Sequence, residues 1–275
     1  MPRRRSHPFR STALLTVAAL VVAFGVYLAA HHAVVTTEGC ESSDGSQTVM
    51  LDTDQAAIAS TIAGVATARK LPQAAVTIAY ATAWQESHLQ DLSYGTLDSV
   101  GVFQQRPSQG WGTFKELINP VYAAGKFFAA LVKVPNYLHI PVYEAAQDVQ
   151  HSADGYAYTN YQEQATLMSG PFTGGTPHAV WCWYVSNPSA TQVTPMRKAL
   201  TRTFGRVSVR QNDGVPVVTV KHPAAGWAVA SWLVTHATTY GISTVRYAGY
   251  QWSASAGSRG WTRDPSAPSG SVELR

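Results

Sequence analysis

The stretch Ala83–Gln109, AWQESHLQDLSYGTLDSVGVFQQRPSQ, joins an apolar segment to a loop rich in small and amide residues. The segment continues an alanine-rich run from Pro72, and its apolar spacing predicts one helix from Pro72 to about His88. Proline suits the first position of a helix. Glu86 lies near the end of this run and is the only acidic residue between positions 55 and 90. A scarce charge in such a setting indicates a functional carboxyl group.

The composition excludes a nucleic-acid-binding protein. The chain has 275 residues, of which 45% are hydrophobic and 13% are charged, a balance typical of a globular protein. Its net charge of +4 comes from four arginines in the first ten residues, and the remaining chain has 16 basic and 16 acidic residues. We therefore expect no basic binding face. The length is sufficient for two small domains.

An apolar run follows the N-terminal arginines. Residues 11–30 carry no charge and are long enough to cross a hydrocarbon core of about 30 Å. Flanking basic residues favour a cytoplasmic N-terminus, and the end of the run fits a signal-peptidase site poorly. We therefore expect a basic cytoplasmic segment at 1–10, a transmembrane anchor at 11–35 and the rest of the chain outside the cell. A cleaved signal sequence and a secreted product are the alternative.

The residues after the apolar run predict a polar stalk followed by helices. The stalk, at 36–52, contains glycine and serine and is expected to be loosely ordered. Apolar periodicity then predicts helices at 54–68, 72–88, 119–132, 142–152 and 158–168.

The pattern changes after a Gly- and Pro-rich stretch at 169–177, which predicts a linker. Beyond it, short β-branched and aromatic runs alternate with two predicted helices, near 195–204 and 225–240. The predicted fold class is therefore multi-domain. It comprises an N-terminal transmembrane helix, a mainly-α domain at 53–170 and a small α/β domain of unassigned role at 178–275.

The cysteines and histidines predict no metal site. Cys40 and Cys182 lack metal-ligand spacing, but an exported context allows them to form a disulfide. Two separate thiols are the alternative. His222, His236 and Asp264 match no compact ligand motif, so we expect neither a metal nor another cofactor.

The loop after Glu86 has the composition of a sugar-binding site. Cleavage of a glycosidic bond requires a proton donor that stays protonated near neutral pH, and an apolar environment achieves this by disfavouring the charged carboxylate. Trp84 and the alanine-rich helix provide such an environment for Glu86. The candidate sugar-binding side chains of the loop are Ser99, Gln104 and Gln105.

The sequence Glu86-Ser87-His88, followed by Asp98-Ser99-Val100-Gly101-Val102-Phe103-Gln104, resembles the motifs of the lysozyme-like superfamily. The most similar members are soluble lytic transglycosylases and goose-type lysozymes. The resemblance covers about Asp54 to Ser169 and implies a helical lysozyme-like fold that acts on the glycan strands of peptidoglycan. It implies that Glu86 is the catalytic acid and that Ser99 and Gln104 are cleft positions.

Two departures from the family pattern bear on the reaction. The family's later Tyr-Asn-Ala-Gly segment is replaced by residues 145–150. Asp98 resembles the first of the downstream aspartates of goose-type enzymes and is an auxiliary carboxylate candidate, whereas Arg106 occupies the place of the second. A lone acid favours transglycosylase-type cleavage, which gives an anhydro product. Tyr158 and Tyr161 are the expected cleft aromatics.

Three functional hypotheses follow. The first is a membrane-anchored enzyme that cleaves glycan strands with Glu86. The second is a catalytically inactive lysozyme-like protein that binds the cell wall. The third is a membrane protein that handles metal or assists secretion, supported only by His31, His32 and the single span. Residues 226–252 also resemble C-terminal modules of actinobacterial secreted proteins. The expected partners are peptidoglycan and the membrane, and no protein partner is identified.

Overall fold

The computed structural model describes residues 38–152, 154–186 and 190–275. The predicted cytoplasmic segment and the predicted anchor at 11–35 lie outside these ranges. Within them, no helix is both long enough and apolar enough to cross a membrane. The residues from Glu38 to Arg275 form one compact unit.

The predicted fold class is wrong. Instead of a mainly-α domain joined by a linker to a separate α/β domain, the described residues form one mixed α/β unit with two antiparallel sheets. The helices are α1 (Thr53–Ala68), α2 (Gln73–Ser87), α3 (Phe114–Leu117), α4 (Pro120–Leu131), α5 (Val142–Gln150), α6 (Gln162–Thr173), α7 (Val193–Phe204), α8 (Pro223–Thr235) and α9 (Ala237–Tyr240). The strands are β1 (Gly39–Ser43), β2 (Thr48–Leu51), β3 (Val180–Trp183), β4 (Ser208–Asn212), β5 (Val215–Thr219), β6 (Thr244–Tyr247), β7 (Tyr250–Ser253), β8 (Thr262–Arg263) and β9 (Ser271–Leu274).

The first sheet contains residues that the sequence assigns to the loose stalk. Its order is β2-β1-β3, so a hairpin from the predicted stalk pairs with a strand from the predicted second domain. Cys40 lies directly opposite Cys182 in this pairing, and a disulfide joins them. The sequence of the hairpin is too short and too polar to predict strands. Its strands form because β1 pairs with β3, which lies far along the chain.

The predicted linker is a packing contact. Helix α6 continues through Ser169, Gly170 and Pro171 and ends at Gly174, which adopts a left-handed conformation with φ of 76°. A side chain at Gly174 would overlap the Ala224 carbonyl of α8. Helix α6 therefore ends directly against the later part of the chain, and this close approach requires glycine.

The later part of the chain shares its core with the earlier helices. The second sheet has the order β4-β5-β9-β6-β7-β8, and α8 lies between this sheet and helices α1 and α6. A buried hydrogen bond of 2.8 Å joins Ser60 of α1 to Thr235 of α8. Helix α8 is buried on almost all sides, because one face packs against α1 and α6 and the other against the second sheet. The two halves therefore share one core and are not separable domains.

The last helix of the first half is displaced from its predicted position. Helix α6 begins at Gln162, and residues Gly155–Tyr161 form a 3-10 helix. A 3-10 helix has three residues per turn, so Tyr158 and Tyr161 lie on the same side of it. That side faces the C-terminal end of α2.

Candidate active site

Glu86 lies in the last turn of α2, where the helix is closed by a left-handed residue. His88 has φ of 55° and ψ of 40° and ends the helix. The Ser87 hydroxyl donates to the Val102 carbonyl over 2.7 Å, which holds the following loop against the helix end. The candidate acid is therefore next to the loop that the sequence places in the site.

The Glu86 carboxyl is half-buried and accepts a hydrogen bond from Tyr158. The Tyr158 hydroxyl donates to Oε1 of Glu86 over 2.7 Å, and Tyr158 is only 1% exposed. Burial raises the pKa of Glu86, and hydrogen bonds from Tyr158 and Gln150 oppose this rise. Burial, together with the nearby Glu86 charge, raises the pKa of Tyr158. The Tyr158 hydroxyl is therefore a fixed donor, and Glu86 stays protonated to a higher pH than an exposed glutamate.

Gln150 is a site residue that the sequence does not identify. It is the last residue of α5, and its Nε2 donates to the Phe103 carbonyl over 2.7 Å. Its side-chain amide also lowers the pKa of Glu86. The available signal is its position, because it ends the segment 145–150, where the sequence resemblance predicts a Tyr-Asn-Ala-Gly motif.

Tyr161 packs beside the acid in an aromatic cluster. Its hydroxyl lies 3.2 Å from Nε2 of His88, and its ring stacks on Trp84 with centroids 6.0 Å apart. Trp84 is two residues before Glu86 on α2 and is almost fully buried. The stacked Trp84 and Tyr161 rings form an apolar surface at the C-terminal end of α2. The structure thus brings Tyr158 and Tyr161 to the same helix end as Glu86.

The predicted sugar-binding side chains of the loop make hydrogen bonds within the protein. Ser99 Oγ donates to Oε1 of Gln104 over 3.0 Å, and Nε2 of Gln104 donates to the carbonyls of Gly101 and Tyr94. Gln105 is buried, and its Nε2 donates to Ala123 of α4 over 3.4 Å. These contacts give the loop its shape, so Ser99, Gln104 and Gln105 position the loop backbone.

Asp98 forms an ion pair with Arg106. Oδ1 of Asp98 accepts from Nε of Arg106 over 2.8 Å, and Ser108 donates to both carboxylate oxygens. The Arg106 hydrogen bond is the main cause that lowers the pKa of Asp98 to about 2. Asp98 is therefore ionised and already occupied by donors, and it is a poor second acid or base.

Exposed aromatic and aliphatic side chains flank the site. Tyr94 and Leu97, in the loop before Asp98, are 70% and 78% exposed. Tyr156 is 69% exposed and stacks on Tyr143, with ring centroids 4.7 Å apart. Exposed Tyr rings combine an apolar face with a polar hydroxyl and are common at binding interfaces.

The principal cavities lie away from Glu86. Five cavities, of about 180 to 560 Å³, are lined by described residues, and Glu86 lines none of the five. Within the described ranges, no group of three or more His, Cys, Asp or Glu side chains is arranged to hold a metal ion. The candidate site is thus a half-buried acid at a helix end.

The chain matches no protein-family model and no curated protein sequence.

Proposed function

We propose that this protein cleaves the glycan strands of peptidoglycan, with Glu86 as a single acid and base. The observation that carries the proposal is the half-buried Glu86 carboxyl, whose pKa is raised by burial and which accepts a hydrogen bond from Tyr158. A carboxyl of this kind can donate a proton to a leaving oxygen near neutral pH. The motif resemblance at residues 86–88 and 98–104 supplies the substrate class.

The proposed reaction uses Glu86 twice. Glu86 first donates its proton to the glycosidic oxygen while the bond from that oxygen to the anomeric carbon breaks. The resulting carboxylate then takes a proton from a hydroxyl of the same sugar, and the oxygen of that hydroxyl bonds to the anomeric carbon. The product is an anhydro sugar, and Glu86 regains its proton. Hydrolysis by two carboxyl groups is the competing mechanism in glycosidases.

The ion pair of Asp98 supports the single-acid mechanism. Arg106 and Ser108 occupy both carboxylate oxygens of Asp98, so this group is not free to activate water. The Tyr158 hydroxyl hydrogen-bonds Glu86, and both Tyr158 and the Gln150 side chain stabilise its ionised form. They thereby limit the rise in pKa and allow the carboxylate to form between the two proton transfers.

We also propose that the protein is anchored by residues 11–35 with the rest of the chain outside the cytoplasm, or is secreted after cleavage there. The disulfide between Cys40 and Cys182 supports an oxidising compartment, because cytosolic thiols are normally kept reduced.

Two observations favour a second function, a catalytically inactive protein that binds the wall. None of the five cavities is lined by Glu86, and the family's Tyr-Asn-Ala-Gly segment is replaced. Such a protein would retain the exposed Tyr94 and Tyr156 as binding contacts.

Digestion of purified peptidoglycan with the full-length chain, followed by mass spectrometry, tests both functions. We expect anhydro ends, and a decrease in rate of about 10²- to 10⁴-fold for Glu86→Gln. The matched control is Glu163→Gln, an exposed acid on α6, which should retain the wild-type rate. Reducing ends would show hydrolysis. Binding to the wall without cleavage by any variant would establish the inactive function, and equal cleavage by Glu86→Gln would exclude Glu86 as the acid.

A further inference from the structure

Two adjacent cavities lie at the C-terminal end of α8. The larger, of about 540 Å³, and the smaller, of about 180 Å³, share Thr61, Pro120 and His236 in their walls. The volume of the larger cavity is in the range of small-molecule sites, and the smaller cavity extends it toward α7. We call them the α8 cavity pair. They are separate from the Glu86 site, because Glu86 lines neither.

The two ends of the α8 cavity pair carry opposite charges. The larger cavity is lined by Asp52, Asp54 and Asp91, and the smaller cavity by Arg202 of α7. Among the described residues, none of these four side chains forms an ion pair. Asp91 stays solvent-accessible, and partial burial raises its pKa to about 6. Burial is the only cause of this rise, and no neighbouring cation opposes it.

The wall between the charged ends provides one hydrogen-bond donor and one acceptor. Trp232 is 1% exposed and lines the smaller cavity, and its Nε1–H has no hydrogen-bond partner among the described residues. Nδ1 of His236 lies 2.9 Å from the Trp232 carbonyl, which can only accept, so Nδ1 carries the proton and Nε2 is the acceptor. Burial lowers the pKa of His236 to about 4, and the ring is neutral at pH 7.

This combination of groups fits a peptide. A peptide unit has one N–H donor and one carbonyl acceptor, which complement Nε2 of His236 and Nε1–H of Trp232. The Trp232 and His236 rings are stacked, with centroids 4.0 Å apart, so the buried Trp232 ring holds the partly exposed His236 ring in place. We propose that the α8 cavity pair binds a short peptide with free termini, its ammonium group at Asp54 and Asp91 and its carboxylate at Arg202.

Calorimetric titration of the full-length chain with alanine peptides tests the proposal. We expect binding of unblocked di- to penta-alanine, and about tenfold weaker binding when either the amine is acetylated or the carboxylate is amidated, because each blocks one charge-assisted contact. Arg202→Gln should weaken binding of the free peptide about tenfold but leave binding of the amide unchanged. Asp91→Asn should weaken binding of the free peptide about tenfold but leave binding of the acetylated peptide unchanged.

The controls separate this site from the Glu86 site. Arg197→Gln, an exposed arginine on the same helix that lines neither cavity, should bind the free peptide like the wild type. Glu86→Gln should also bind normally, so failure of the cleavage proposal leaves this one testable. Equal affinity for free and blocked peptides, wild-type affinity in Arg202→Gln and Asp91→Asn, or no binding at millimolar peptide would overturn the proposal.

Discussion

The Tyr158 hydroxyl donates a hydrogen bond of 2.7 Å to Oε1 of Glu86 across a sequence separation of 72 residues. The two residues come from different elements, the last turn of α2 and the 3-10 helix before α6. Since Tyr158 is almost fully buried, it contacts the carboxyl and not the solvent. It is therefore a positioning residue, whose effect on the reaction passes through Glu86.

Replacement of Tyr158 by Phe should shift the pH dependence of cleavage. The hydrogen bond from Tyr158 lowers the pKa of Glu86, so its loss raises that pKa further. We expect the alkaline limb of the pH–rate profile to move to higher pH, and the maximal rate to fall about tenfold because the carboxyl is less well oriented. The measurement is the initial rate of peptidoglycan cleavage from pH 4 to pH 9.

The matched control for this change is Tyr156→Phe. Tyr156 belongs to the same 3-10 helix but stacks on Tyr143 and is exposed. The alkaline limb of the pH–rate profile of Tyr156→Phe should lie at the same pH as that of the wild type. An unshifted profile in Tyr158→Phe would show that the hydrogen bond does not control the ionisation of Glu86.

Replacement of Glu86 by Gln should change how stability depends on pH. A carboxyl with a raised pKa in the folded state holds its proton longer than in the unfolded chain, so the wild type loses stability as pH rises from about 4.5 through the raised value. Glu86→Gln has no such ionisation. We therefore expect its stability relative to the wild type to increase between pH 4 and pH 8, as measured by urea unfolding. A difference that is constant across this range would contradict the raised pKa.

Replacement of Gly95 by Ala should destabilise the loop beside the site. A Cβ atom at Gly95 would overlap Oε1 of Gln104 and Oγ of Ser99 and lie 2.6 Å from the Ser99 carbonyl oxygen. The loop hydrogen bonds would have to rearrange, at a cost of about 1–3 kcal/mol in unfolding free energy. Gly270→Ala is the control, because no atom lies within 4 Å of a Cβ there. Equal stability of the two variants would show that the loop is not held by these contacts.

Removal of the disulfide should lower stability. The bond joins Cys40 and Cys182, 142 residues apart, and constrains the unfolded chain. The double variant Cys40→Ser, Cys182→Ser should lose about 2–5 kcal/mol of unfolding free energy, as typical for a native disulfide. The wild type in reducing buffer should unfold at the same urea concentration as the double variant. A wild type insensitive to reductant would contradict a structural role for the bond.

Several elements follow from local sequence patterns. Helices α1, α2 and α4 lie close to their predicted positions, because apolar spacing and prolines at helix starts act over a few residues. The position of Glu86 in the last turn of α2 follows from the same pattern. Short β-branched runs likewise mark β3 to β6.

The sequence alone placed helices α1, α2, α4 and α5 and singled out Glu86 as a scarce acid in an apolar stretch. Only the tertiary structure decided that Tyr158 and Gln150 meet this acid, that Ser99 and Gln104 bond each other, and that β1 of the predicted stalk pairs with β3. The physical reason is range. Helix propensity depends on neighbours three and four residues away, whereas strand pairing, burial and the resulting pKa depend on residues brought together from distant parts of the chain.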